Sequence, residues 1–69
     1  MLALSDLSET DLRKANIAGG QLMGAELIRA QLGMARFAGA EMWDANLQRA
    51  NMVHANFYRA NLDNANLSE

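Results

Sequence analysis

Sixty-nine residues with a net charge of −2 and a pI near 5.2 make one domain at most, with neither the basic footprint of a nucleic-acid binder nor a strongly acidic surface. With no cysteine and one histidine, a disulfide framework and a thiolate metal site are excluded, and no metal or cofactor is called for. Chains this short bury little of their surface and ordinarily need a staple or a partner.

The opening residues, MLALSDLSETD, lack the basic segment and continuous apolar core of a signal peptide, and no apolar run approaches the roughly 20 residues of a membrane span. A cytoplasmic location is therefore the expectation. From Leu2 onward one large apolar residue returns every fifth position: Leu2, Leu7, Leu12, Ile17, Leu22, Leu27, Leu32, Phe37, Met42, Leu47, Met52, Phe57, Leu62 and Leu67. Two residues before each, from Leu7 on, stands a small side chain: Ser5, Thr10, Ala15, Gly20, then alanine from Ala25 through Ala65.

A beat of five suits neither standard element. At about 100° per residue a helix would turn the apolar position by about 140° each time and smear it around the cylinder. In one continuous strand the same position would alternate faces, because five is odd and the side-chain period is two. Short extended pieces separated by bends, all pointing their large residue at one axis, satisfy the pattern. Phe37 recurs as Phe57, Ala18-Gly19 as Ala38-Gly39 and Arg29 as Arg49, a spacing of twenty that implies four sides per coil. At about 4.8 Å per coil the chain makes about three and a half coils, about 17 Å tall.

The rival is helical, since the composition favours helix, proline is absent and Ser8 to Asp11 fits a helix start. The unbroken beat of five supplies no 3.6-residue stripe and argues against it.

From Ala45 to Leu67 each unit opens Ala-Asn followed by Leu, Met or Phe. From Ala15 to Met42 the asparagine gives way to Gln21, Glu26, Gln31, Arg36 and Glu41, and Gly20 replaces one alanine, while SDLSE and TDLRK still conform. This resembles the A(N/D)LXX consensus of the pentapeptide-repeat proteins. The resemblance implies an all-β, right-handed quadrilateral β-helix, here one solenoid over residues 1–69 without separate caps. Four apolar columns follow, led by Leu2, Leu7, Leu12 and Ile17. Alanine fills the tight inward position beside them, and asparagines 46, 51, 56, 61 and 66 hold neighbouring backbone.

No catalytic constellation emerges. His54 points outward without a second ligand, and Asp6 and Glu26 stack on an open wall where nothing raises a pKa. Asn66-Leu67-Ser68 matches a glycosylation signal, but the repeat produces such matches by accident. The chain is thus expected not to be an enzyme. Met23 and Trp43 occupy one outward position a coil apart, with Ile28 around the adjacent corner, and these three form the candidate protein-interaction patch. Met34, Val53 and Tyr58 lie elsewhere outside. Both ends lack caps, so Leu62 and Leu67 are candidates for an end-to-end contact.

The leading expectation is a non-enzymatic scaffold or protein–protein interaction module that binds a protein partner or itself. Self-association into a homo-oligomer, or membership of a larger assembly, follows from the open ends. Some proteins of the family mimic a DNA duplex toward DNA gyrase, so a gyrase inhibitor or protector is the alternative, although the row Glu9, Arg29, Arg49, Glu69 is mixed in sign. Further alternatives are the tip or a fragment of a larger protein, or an idealised repeat. Neither nucleic acid nor membrane is an expected partner.

Overall fold

Residues 2–68 are described by a computed structural model, and across them every unit repeats one motion: a bridged residue, an inward apolar residue, then a two-residue turn. The parallel bridges run Asp6 to Glu26 to Asn46 to Asn66, Asp11 to Gln31 to Asn51, Asn16 to Arg36 to Asn56, and Gln21 to Glu41 to Asn61. Each joins residues twenty apart, so the chain returns over itself after four units. This is the β-helix type of fold. Its pairing consists of isolated bridges rather than continuous strands, because only about three residues fit along a side before the next turn. No helix occurs among the described residues, and the helical rival falls.

The turns close by a hydrogen bond from the residue after the turn to the apolar residue three before it, as in Ala25 N to Leu22 O at 3.0 Å and Ala40 N to Phe37 O at 2.9 Å. Their second central residue has positive φ throughout, including ten non-glycine residues such as Leu4 at 62°, Arg29 at 60° and His54 at 60°. Side-chain-bearing residues adopt this region at a cost, and two sets of hydrogen bonds offset it. The amide at positive φ donates to the next coil, as Arg29 N does to Gln48 O at 2.8 Å and Gly39 N to Tyr58 O at 2.8 Å. Where the residue before the apolar position is Asn or Asp, its side chain accepts the amide two residues on, as Asn16 does from Ala18 at 3.1 Å and Asn56 from Tyr58 at 2.9 Å. Asp6 does the same for Ser8 and Asp11 for Arg13, which explains why Asn and Asp alternate in this column.

Leu22, Leu27, Leu32, Phe37, Met42, Leu47 and the alanines from Ala25 to Ala45 form the buried core. Leu2, Leu7, Leu12 and Ile17 at one end, and Met52, Phe57 and Leu62 at the other, pack against it half-buried. Within one column the rings of Phe37 and Phe57 lie parallel, 4° apart in tilt and 5.0 Å between centroids. The described body measures 20 × 19 × 18 Å.

Gly20, which stands where Ala40 and Ala60 stand in the next two coils, has a local cause. A Cβ there would lie 2.6 Å from the Cγ2 and 2.9 Å from the carbonyl oxygen of Ile17, the only β-branched residue among the inward apolar positions. The other inward residues are unbranched at Cβ, and the position three residues on holds serine, threonine or alanine. Gly20→Ala therefore lowers stability by about 1–3 kcal/mol through overpacking. Adding Ile17→Leu recovers the part of the loss that the Cγ2 methyl causes, while the contact with the carbonyl oxygen remains. A double-mutant cycle of urea midpoints with no coupling between the two sites would refute the pairing.

Candidate functional site: an apolar wall and two open ends

The turn residues face outward and stack into corner columns. Ala3, Met23 and Trp43 share one such column, each followed by the positive-φ residue Leu4, Gly24 or Asp44. These six residues line a shallow concavity of about 290 Å³. Trp43 is 41% exposed and Leu4 82% exposed, while Met23 is half-buried. Gly24 supplies the floor: the Cδ2 of Leu4 lies 2.8 Å from where a Cβ would stand, so the leucine leans over bare backbone.

Met23 and Trp43 thus meet, as the spacing of twenty requires. Ile28 is half-buried at the neighbouring corner and is not among the residues lining the concavity. Sequence reasoning missed Ala3 and Leu4, although their distance of twenty from Met23 and Gly24 was the available signal. Met34, Val53 and Tyr58 are exposed, and the Arg59 guanidinium sits 5.3 Å over the Tyr58 ring.

The titratable groups show surface chemistry. Asp6 and Glu26 are bridge partners on one wall. The Ser8 amide, then its hydroxyl, hold the Asp6 carboxyl below its ordinary pKa, the wrong direction for a general acid at neutral pH. Asp11 receives the Arg13 guanidinium at 2.8 Å and 2.6 Å and the Arg13 amide at 3.1 Å, which lower its pKa to about 2. This ion pair is solvent-exposed and adds little to stability. His54 is exposed. Among the described residues no three His, Cys, Asp or Glu side chains group as metal ligands, and no helix is long and apolar enough to cross a membrane.

The ends differ from the walls in exposing backbone as well as core. At the C-terminal end an open notch of about 950 Å³ is lined by Arg49, Ala50, Asn51, Met52, Val53, Leu67 and Ser68. It marks the step of the spiral, where Leu67 ends one coil beside the start of that same coil near Met52. Leu67 is 48% exposed, whereas Leu62 is half-buried and lies outside the notch lining. Among the described residues, the amides of Phe57, Leu62 and Leu67 and the carbonyls of Ala55, Ala60 and Ala65 have no backbone partner. Their counterparts one coil earlier are all paired, Phe37 N to Asn56 O at 2.7 Å and Asn56 N to Ala35 O at 2.9 Å among them.

No curated protein matches the chain. A family model of pentapeptide repeats matches it in eight copies, over residues 5–44 and 30–69. With that match spanning nearly all of the sequence and the same turn, bridge and inward residue recurring every five positions, the chain belongs to the pentapeptide-repeat family.

Proposed function

We propose that this protein is a non-enzymatic scaffold of the cytoplasm, a repeat-type interaction module whose walls dock other proteins. In this reading the coil is the right-handed quadrilateral form, with about three and a half turns at the inter-strand spacing. The observation that carries the proposal is the concavity of Leu4, Met23, Gly24 and Trp43, an apolar recess on an otherwise polar wall. A half-exposed tryptophan beside a flexible methionine is the composition of a binding hot spot. The walls are held by backbone ladders, and among the described residues no enclosed site gathers titratable groups, so rigid presentation is what the geometry does best. The corner row Glu9, Arg29, Arg49 changes sign along the axis, which disfavours a duplex-like acidic stripe.

The test is a pulldown comparing the native chain with Trp43→Ala. The substitution removes a wall side chain outside the buried core, so the thermal transition stays within a few degrees while the bound partner is lost, by about thirtyfold in affinity for an anchor of about 2 kcal/mol. Partners bound equally by both chains would end the wall reading.

A further inference from the structure

We propose that the Trp43 recess takes an arginine of a partner protein, carried on a basic segment with aliphatic neighbours. The guanidinium stacks on the Trp43 ring and pairs with the carboxylates of Asp44 and Asp63, while an adjacent aliphatic side chain fills the hollow over Gly24. The inference rests on reading the wall as a docking surface and names the chemistry of what docks there.

The repeat itself supplies the comparison. At one corner of the coil the two turn positions hold Tyr58 and Arg59, and the Arg59 guanidinium lies 5.3 Å over the Tyr58 ring. At another corner the same two positions hold Trp43 and Asp44. Arg59 and Asp44 share one backbone conformation, with φ of 59° and 61°. The aromatic ring that carries its own cation at the first corner thus has a carboxylate beside it at the second. Trp43 is 41% exposed, and among the described residues no cation lies over its ring. The face of an indole attracts a cation more strongly than that of a phenol, and the carboxylate beside it adds to the attraction.

Charge around the recess points the same way. The corner column runs on from Trp43 to Asp63, and the Asp44 amide donates to the Asp63 carbonyl at 2.9 Å. The bridging columns on either side hold Glu41 and Glu26, both exposed. All six lysine and arginine residues stand in other columns, and the one ion pair among the described residues joins Arg13 to Asp11. The carboxylates of Glu26, Glu41, Asp44 and Asp63 therefore surround the recess without a cation. Met23 and Trp43 interrupt them along the axis, so the feature is an apolar hollow with a negative rim and not an acidic stripe.

Arginine meets both demands at once. Its planar fork gives two hydrogen bonds to a carboxylate while its flat face stays free to stack on an aromatic ring, which a lysine ammonium cannot do. The hollow beside the ring, lined by Leu4, Met23 and Gly24, suits an aliphatic neighbour of that arginine, because the flexible thioether of Met23 adapts to the shape placed against it.

Trp43 is the one tryptophan of the sequence, so its emission reports occupancy directly. The full chain is titrated with three synthetic peptides free of aromatic residues, in which leucine alternates with arginine, with lysine or with glutamate. The arginine peptide gives a saturable change in Trp43 emission, the lysine peptide binds about tenfold more weakly, and the glutamate peptide gives no change. Added sodium chloride weakens the arginine peptide by screening the rim. D44N/D63N lowers its affinity by about tenfold. Asparagine fits the Asp44 turn, since Asn64 holds that position one coil on at φ 58°, so the loss reflects charge and not folding. E9Q, at a different corner, leaves the affinity unchanged.

Equal binding of the lysine peptide overturns the assignment to arginine, and equal affinity of the native and D44N/D63N chains overturns the charge pairing. No saturable change with the arginine peptide overturns the proposal as a whole. Emission that shifts with protein concentration alone puts a second copy in the recess and overturns it as well. A partner whose binding is lost with Trp43→Ala but indifferent to D44N/D63N leaves the wall reading standing and refutes the arginine, so the two fail separately.

Discussion

Phe37→Ala lowers the stability of the chain by about 3–5 kcal/mol, enough to unfold a domain of this size at ambient temperature, since small domains sit toward the lower end of about 5–15 kcal/mol. Phe37 is the largest fully buried side chain, and its ring lies against that of Phe57. The walls around it cannot collapse into the space left behind. The bridges from Asn16 to Arg36 and from Arg36 to Asn56 hold that side at fixed height, and the amides of Phe37 and Arg36 are tied at 2.7 Å and 2.8 Å to neighbouring coils. A cavity therefore persists, and its cost adds to the lost burial. Phe57→Ala, in the half-buried end layer, costs less because solvent already reaches it. Urea unfolding followed by the fluorescence of Trp43 checks both, and equal losses at the two positions would show that burial within the column is not what stabilises it.

Ala45→Leu is the complementary experiment, an excess of volume instead of a deficit. Ala45 is 1% exposed, and its backbone is held by bonds to Met42 O at 3.1 Å and from Asn66 N at 2.9 Å. Larger side chains at this inward position meet the coils above and below before they meet any void. Overpacking of this kind costs about 1–3 kcal/mol, toward the upper figure here because no neighbouring element is free to shift. Ala65→Leu in the last layer is only half-buried and can tip its added carbons out of the open end, so its urea midpoint falls less. A midpoint for Ala45→Leu equal to that of the native chain would mean that the interior is looser than the buried alanines indicate.

Much of this architecture is legible in the sequence because it is written redundantly. The inward columns follow from the beat of five, and the stacking of Phe37 on Phe57 and of Met23 beside Trp43 follows from the spacing of twenty. The asparagine column is equally readable, since Asn and Asp are the residues whose side chains close a turn on the amide two positions ahead. The positive φ at the second turn residue is far less so. Gly19, Gly24, Gly39 and Asn64 hint at it, but the column also holds Leu4, Lys14, Arg29 and Arg59, whose side chains show no preference for that conformation. There the ladder between coils overrides local propensity. Gly20 looked like an irregularity in the repeat, and only its distance to the Ile17 methyl shows it to be a steric partner.

For the candidate site the division is sharper. The repeat by itself determined which residues stack, because a period that fits neither helix nor strand leaves a coil as the one way to bury every fifth side chain. Only the tertiary structure decided that Leu4 leans over Gly24 beside Trp43 while Ile28 stands at another corner, and that the end near Met52 and Leu67 is a stepped notch fringed by unpaired amides. Those properties depend on how each turn aims its side chains and on which backbone groups the last coil leaves unmatched, and a linear pattern specifies neither.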